Sequence, residues 1–285
     1  MKNLVKKIVA VVVVTVLTLA LAGCGGKKTA VTIAVPNDTT NEARALLLLE
    51  ANGIIKLKDG AGITATKQDI VDNPYGVEIS EVEAAQIPNV RQDVDFAIIN
   101  NNYAIEAGIN PVKDSLLIEG SYSAYANILC VKEGNENEPK IKALIAALES
   151  QKVADFISGK YDGAVVSTID NPTDGFDANL DYAALAGETV TVAASPTPHA
   201  EILAVAAEIL AEKNITLQVV EFTDYVQPNN VVESGELDAN YFQHQPYLDD
   251  FNKENGTHIV SVSAPHVEPM GLYGGKKTSL DDLKK

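Results

Sequence analysis

One pattern that occurs twice constrains the fold of this chain more than any other feature. An apolar, β-branched run leads through a short proline-containing loop into a helical segment, first at residues 31–51 and again at residues 190–213. Further apolar runs alternate with helical patterns after each copy. This alternation predicts an α/β chain with largely parallel sheets, and the two similar openings indicate two domains of that kind.

The predicted elements cover most of the chain. Beyond the two opening strands at 31–35 and 190–194, we expect strands at residues 94–99, 126–131, 217–220, 239–242 and 259–262. We expect helices at residues 41–51, 141–149, 153–157, 199–213, 225–234 and 247–255. Thr39 and Glu42 have the spacing of a capping box for the first helix. Residues 167–179 are acidic, rich in turn formers and without periodicity, which predicts a linker or surface excursion.

The N-terminus carries an export pattern. Three lysines precede an apolar run at residues 8–22, and Leu21-Ala22-Gly23 is followed directly by Cys24. The pattern predicts a signal peptide at 1–23, lipidation of Cys24 and a tether at 24–29. The alternative is an uncleaved membrane span, but the run is shorter than the ~20 residues that a span needs. We expect a lipid-anchored protein on the extracytoplasmic face of the cell membrane.

Charge and cysteine content exclude several classes of function. The formal net charge is -17, and removal of the three signal-peptide lysines would bring it to -20. Such an acidic body is a poor partner for nucleic acid or anionic lipid surfaces. Cys130, within an apolar run, has no intrachain partner once Cys24 is lipidated, and we expect a buried small hydrophobe there rather than a nucleophile.

Motifs for catalysis are absent from the sequence. It contains no Gly-x-Ser-x-Gly elbow, no His-Glu-x-x-His and no glycine-rich phosphate loop. The four histidines show no ligand spacing, and His266-Val267-Glu268 alone is a weak metal signal. We therefore expect neither an enzyme nor a cofactor or metal site, and keep a secreted hydrolase or a metal-binding lipoprotein as the alternative.

The stretch at residues 239–251 has the composition of a binding surface. It holds four of the 16 aromatic residues, one of the four histidines and several amides. A core strand would normally avoid its Gln-His-Gln run, because each buried donor and acceptor needs a partner.

Several segments together resemble one family. The stretch at 239–251, the loop Ser195-Pro196-Thr197-Pro198-His199, and the runs at 36–49, 99–104, 221–229 and 266–273 closely resemble the methionine-binding lipoproteins of bacterial ABC importers. The similarity covers nearly all of the mature chain. It implies a two-lobe, periplasmic-binding-protein-like α/β fold with the ligand in the cleft between the lobes.

The order of these segments differs from that of the family. Family members place the segment similar to 188–283 directly after the lipidated cysteine and continue into the strand that is here at 31–35. We therefore expect a circular permutation in which residues 167–188 join the usual termini; the rival explanation is a rearranged gene without a folded product. One lobe would comprise residues 30–101 with 270–285, and the other residues 102–269.

The resemblance also implies roles for individual residues. Arg44 would bind the ligand's carboxylate, although the local sequence favours a surface ion pair with Glu42 or Asp38. Asn100 and Asn127 would fix the ammonium and carboxylate, although asparagines near strand ends are usually turn or cap residues. The neighbours Asn101 and Asn102 differ from the small hydroxyl residues expected there.

A side-chain pocket would come from Tyr225, Phe242, His244 and Tyr247, because a thioether packs well against rings. Without the resemblance, Phe242 and Tyr247 would equally suit the core, and His244 could be structural. The expected partners are L-methionine, with D-methionine or related amino acids as alternatives, an ABC permease with its ATPase, and the membrane through the lipid anchor. The alternative function is a surface lipoprotein of this fold with an interaction role, or with another small apolar amino acid or a metal as its ligand.

Overall fold

A computed structural model describes residues 30–120 and 125–284. The predicted signal peptide at 1–23, the lipidation site Cys24 and the tether at 24–29 lie outside the described residues. Within the described part of the chain, no helix has both the length and the apolar character needed to cross a membrane.

The described residues form strands and helices in alternation. The strands are β1 (Val31–Pro36), β2 (Lys56–Leu57), β3 (Ile70–Asp72), β4 (Val77–Val82), β5 (Phe96–Ile99), β6 (Ser115–Ile118), β7 (Ala126–Lys132), β8 (Val166–Ser167), β9 (Thr189–Ala194), β10 (Thr216–Glu221), β11 (Ala239–His244), β12 (Ile259–Val267) and β13 (Gly271–Gly274). The α-helices are α1 (Thr39–Ala51), α2 (Ile87–Val90), α3 (Asn101–Glu106), α4 (Pro111–Asp114), α5 (Pro139–Leu148), α6 (Gln151–Tyr161), α7 (Glu201–Ala211), α8 (Gln227–Glu233) and α9 (Gln245–Asn255).

Two large sheets organise these elements. The first has the order β4-β1-β5-β13-β6, and the second has the order β10-β9-β11-β7-β12-β8. β2 and β3 form a separate two-stranded ribbon. Each large sheet has its own apolar core, one built around β1 and α1 and the other around β7, β9, α5 and α7. The α/β fold with two lobes, as expected from the sequence, is present.

Both sheets are mixed, so the expectation of largely parallel sheets is only partly correct. β4, β1 and β5 are parallel in the first sheet, as are β10, β9 and β11 in the second. β13 runs antiparallel to both its neighbours, and β7 and β12 are antiparallel strands of the second sheet. The local pattern could not reveal this, because β13 pairs with strands more than 150 residues away in the chain.

The start of α1 differs from the expected capping box. Asp38, and not Thr39, is the N-cap residue, and its carboxylate accepts a hydrogen bond from the backbone N–H of Asn41 at 3.0 Å. Glu42 instead accepts from the backbone N–H of Lys67 at 2.9 Å. The second opening differs as well, because a wide turn at Pro196–Ala200 precedes α7. That turn brings His199 to a buried position, where it is 1% exposed.

The expected lobe boundary at residues 101 and 102 needs correction. β6 pairs with β13 and therefore belongs to the first sheet. The chain passes to the second sheet only between β6 and β7, so residues 115–118 lie with the first lobe. The other connection between the two sheets runs from β12 to β13.

The segment expected to join the family's usual termini packs against the second core. Phe176 and Tyr182 contact each other edge to face at 5.5 Å, and Nζ of Lys213 lies 4.5 Å from the Phe176 ring centre. Gly175 adopts φ +95°, and a Cβ atom there would lie 2.8 Å from Cγ2 of Ile209. The segment lacks regular helices but is anchored at these points.

Candidate functional site

A cavity that is partly open to solvent is lined by residues from both lobes. All seven residues predicted to bind the ligand line it: Arg44, Asn100, Asn127, Tyr225, Phe242, His244 and Tyr247. Five further residues, none of which was expected from the sequence to bind the ligand, also line it: Asn41, Asn101, Asn102, Gln243 and Glu268.

The ends of secondary-structure elements position most of these side chains. Asn100 follows β5 and is the N-cap residue of α3. His244 ends β11 and caps α9, where its Nδ1 accepts a hydrogen bond from the backbone N–H of Tyr247 at 3.2 Å. Since ligand contacts gather at strand ends in α/β sheets, this placement is typical of a binding site.

Arg44 is buried and does not form the surface ion pair that its local sequence favours. It is 4% exposed and pairs with Glu119, which lies 75 residues further along the chain. Nη2 also donates to the backbone carbonyl of Glu268 at 2.8 Å. The guanidinium carbon lies 4.4 Å from the ring centre of Tyr125, a cation–π distance. These contacts hold the guanidinium in one orientation at the cavity wall.

Three consecutive asparagines at the cavity have incompletely paired amides. Asn100 donates to Oδ1 of Asn41 at 2.9 Å, but its own Oδ1 is buried and has no partner among the described residues. Oδ1 of Asn101 is likewise buried and unpaired. Asn102 accepts from the Tyr225 hydroxyl at 2.6 Å, while its Nδ2 is unpaired. Because an unpaired buried polar atom costs about 1–3 kcal/mol, these two acceptors and one donor indicate a polar ligand.

The predicted aromatic pocket forms one wall of the cavity. The Tyr225 ring centre lies 5.9 Å from that of Phe242 and 6.0 Å from that of Tyr247. Phe242 and Tyr247 meet edge to face at 6.0 Å, and His244 lies 6.3 Å from Tyr247. Burial raises the pKa of Tyr225 and of Tyr247 well above the usual value, so both hydroxyls stay neutral. This wall is suited to an apolar side chain.

Glu268 is held by two buried histidines next to the cavity. Nε2 of His266 lies 2.6 Å and Nε2 of His199 3.2 Å from Oε1 of Glu268. Burial lowers the pKa of each histidine to about 3, so both rings are neutral at pH 7. The Tyr241 hydroxyl contacts Nδ1 of His266, and with the Glu268 carboxyl ionised the proton of that ring lies on Nε2 and is donated to Glu268. Burial raises the pKa of the Glu268 carboxyl.

The same three residues are the candidate metal ligands among the residues that the structure describes. Their donor atoms lie within 4.8 Å of one another. However, two ligands of a tetrahedral zinc ion, each at ~2.0–2.1 Å, would lie roughly 3.3 Å apart. The 2.6 Å contact between His266 and Glu268 is therefore the distance of a hydrogen bond. The spacing of the histidines in the sequence did not reveal this cluster, because His199 comes from a distant loop.

A network of amides beneath the cavity explains the polar run that a core strand would avoid. Gln243 exchanges hydrogen bonds with Asn229, at 2.9 Å and 2.7 Å, and its Nε2 also donates to Asn240 at 3.0 Å. Asn240 in turn donates to Oδ1 of Asn229 at 2.9 Å. β11 is buried along its whole length because these amides satisfy one another. Cys130, also buried, contacts Gln243 through its sulfur at 3.6 Å, and burial raises the pKa of its thiol.

A family profile and several known lipoproteins are similar to this chain. A family profile described as NlpA lipoprotein matches residues 27–169 and 190–285. The membrane lipoprotein TpN32 of Treponema pallidum (strain Nichols) is 46% identical over 135 residues, which are 47% of this chain and 50% of that protein. The probable D-methionine-binding lipoprotein MetQ of Pasteurella multocida (strain Pm70) is 42% identical over 135 residues, 47% of this chain and 49% of that protein.

The chain spans about half the length of the curated relatives that it matches. Among solved structures, a nutrient-binding protein from Burkholderia cenocepacia bound to methionine is 44% identical. The similarity covers 50% of this chain and 61% of that chain, with a TM-score of 0.47.

Proposed function

The chain belongs to the NlpA lipoprotein family, and from this premise we propose that it binds methionine outside the cell and delivers it to the permease of an ABC transporter. A relative named as a probable D-methionine-binding lipoprotein supports the choice of ligand. The observation that carries the proposal is the set of unpaired amide atoms facing the same cavity as an aromatic wall. Family membership favours a binding and transport role over an enzymatic one.

The polar half of the cavity suits the two charged groups of an amino acid. Arg44 and the free Nδ2 of Asn102 offer donors to a carboxylate. The free Oδ1 atoms of Asn100 and Asn101, together with the Glu268 carboxylate, offer acceptors to an ammonium. Donors and acceptors are thus both present, as a zwitterion requires.

The apolar half suits a thioether side chain. Tyr225, Phe242 and Tyr247 present ring edges and faces, which a polarizable sulfur contacts favourably. Near-isosteric ligands such as leucine or norleucine should differ by only ~1–3 kcal/mol, because an apolar wall discriminates weakly by shape. The ring wall and the amides together favour methionine over a bulkier or charged side chain.

Location and partners follow from the same premise. We infer that Cys24 carries the lipid anchor and that the body lies on the extracytoplasmic face of the membrane, beside the permease and its ATPase. The net charge of -17 supports anchoring through lipid rather than through contact with an anionic surface.

We also infer that the chain is a circular permutant of its family. The two matched blocks flank residues 170–189, which overlap the expected join at 167–188 almost completely. Val31 and Leu283, which the usual order would connect, belong to one apolar cluster. Restoring the family order, with residues 188–285 ahead of residues 30–166, should leave methionine affinity unchanged; loss of binding in the reordered chain would contradict this inference.

Calorimetry on the chain without residues 1–24 tests the main proposal. L-methionine at tens of micromolar should release measurable heat, and D-methionine, leucine and norleucine measured alongside would rank the ligands. No heat with either enantiomer would contradict the proposal. A protein that binds but does not restore methionine uptake, in a strain lacking its own binding protein, would favour the interaction role. Stabilisation by zinc that EDTA reverses would favour the metal ligand, through the histidine and glutamate cluster.

A further inference from the structure

We propose that Glu119 is an internal counter-ion for Arg44, which reduces the contribution of the ligand's carboxylate and makes the ammonium the group on which binding depends most. This role rests on the proposed function, because it concerns an amino acid in the same cavity. Glu119 itself does not line that cavity.

The first observation is a buried ion pair that already occupies Arg44. Nε of Arg44 donates to Oε1 of Glu119 at 3.0 Å and to Oε2 at 2.9 Å, and Nη2 also donates to Oε2. The two side chains are only 5% and 9% exposed. Because solvent screens such a pair weakly, its charges interact strongly. Arg44 therefore has one carboxylate partner before a ligand offers another.

The second observation is that Glu119 is fixed in place. Its backbone N–H donates to the carbonyl of Met270 at 2.8 Å, and the Met270 N–H donates back to Oε2 at 3.2 Å. These contacts join the start of the β6–β7 connection to the end of the β12–β13 connection. A ligand carboxylate would have to share the guanidinium with Glu119 rather than displace it.

The third observation is the direction from which each group reaches Arg44. Glu119 lines a separate surface groove with Leu47, Leu48 and Tyr125. Its carboxylate engages Nε and Nη2. In the proposed arrangement a ligand carboxylate approaches from the cavity through Nη1, and it would bind a guanidinium whose charge is already largely compensated.

The remaining charge at the cavity favours a cation. Arg44 and Glu268 are the charged groups of the cavity wall. With Arg44 paired to Glu119, the charge of Glu268 has no compensating cation of its own, since its partners His199 and His266 are neutral imidazoles. Nε2 of His266 lies at hydrogen-bond distance from Oε1 of Glu268, and a donor there favours the ionised carboxylate. An ammonium fits this surplus of negative charge.

The size of the effect follows from distance. A carboxylate on Nη1 would lie roughly 6 Å from that of Glu119, and at an effective dielectric constant of ~20 such a repulsion weakens binding by roughly 10–100-fold. Glu119→Gln keeps a hydrogen-bond acceptor for Arg44 and removes the charge. The variant should therefore bind the carboxylate of a ligand more tightly.

Affinities for L-methionine and for L-methioninamide, which lacks the carboxylate charge, test the proposal by calorimetry. In the wild-type chain the two ligands should bind within about tenfold of each other. In Glu119→Gln the preference for methionine over the amide should rise at least tenfold. Glu208→Gln, which removes an exposed ion pair with Lys152, is the matched control and should leave the ratio unchanged.

A second measurement needs no methionine binding. Acetate, a bare carboxylate, should raise the melting temperature of Glu119→Gln by several degrees relative to chloride at the same ionic strength, and should leave the wild type nearly unchanged. A methionine preference that is unchanged or lower in the variant would overturn the proposal, and a lower one would show that Glu119 only orients Arg44. Equal acetate responses would overturn it as well. Failure of the wild type to bind methionine would instead contradict the proposed function, while the acetate comparison still decides the role of Glu119.

Discussion

Glu268→Gln separates a role in ligand binding from a role in folding, because the two roles predict changes of opposite sign. Gln is nearly isosteric with Glu, and its oxygen can still accept from Nε2 of His266, now at 2.6 Å from Oε1. What the substitution removes is the negative charge of a side chain that is 5% exposed.

The expected loss of affinity comes from the ammonium. A hydrogen bond to a charged partner contributes about 1.5–3 kcal/mol, so methionine should bind roughly 10–150-fold more weakly. The stability of the folded protein should not decrease with the affinity. Burial raises the pKa of Glu268, so its ionised form opposes folding as the pH rises through the folded-state pKa. At pH 7.5 the free energy of unfolding should stay level or rise by about 1 kcal/mol.

Calorimetry and urea unfolding of the ligand-free protein at pH 7.5 measure both quantities. 4-(Methylthio)butanoate, which lacks the ammonium, provides the control, since its weak binding should not weaken further in the variant. An unchanged methionine affinity would remove Glu268 from the ammonium site. A loss of more than about 2 kcal/mol in unfolding free energy would show that the charge stabilises the fold and refute the reasoning.

Four further measurements test other parts of the site and fold. Arg44→Ala should weaken methionine binding at least 30-fold in calorimetry, because it removes a donor to the carboxylate and also leaves the buried Glu119 charge unpaired; unchanged binding would exclude Arg44 from the site. Phe242→Ala should cost about 2–3 kcal/mol of methionine affinity but much less for alanine as the ligand, and an equal loss for both would contradict a side-chain pocket. Gly175→Ala should lower the urea midpoint, corresponding to about 1–3 kcal/mol, because the positive φ and the packed neighbour both oppose a Cβ; no change would mean that the segment is not anchored. Stability should fall between pH 7 and pH 5 by up to about 2 kcal/mol for each buried histidine, because the unfolded chain takes up protons near pH 6.5 that the folded rings do not. The raised pKa of the Glu268 carboxyl offsets part of this loss of stability. A flat profile of stability against pH would contradict the prediction for the histidines. The histidines concerned, each with a pKa lowered to about 3, are His199, His244 and His266.

Local sequence patterns predicted the elements that carry the site. The apolar runs located β5, β7 and β11 because strand and helix periods are local properties. The family resemblance selected the site residues near the ends of these strands, and all of them line one cavity. The assignment of Arg44 likewise needed the family resemblance, since its immediate neighbours favoured a surface position.

Features that depend on distant pairing were not predictable in this way. The partner of Arg44 is 75 residues away, and His199 meets Glu268 only because a wide turn directs it inward. β6 joins the first sheet through a strand near the C-terminus. Nothing in the sequence around Glu119 distinguishes it from the many acidic residues of this chain, so only the three-dimensional contacts identify it.

The amide network of Asn229, Asn240 and Gln243 has a consequence for how such a protein can change its ligand. Since these amides satisfy one another, the strand that carries Phe242 is held in place by partners that no ligand needs. Phe242 can then be replaced without disturbing the amides proposed to bind the charged groups of an amino acid, whereas Tyr225 is connected to them through its hydrogen bond to Asn102. Within the ring wall, the position of Phe242 is therefore the natural starting point for redesign of the ligand preference.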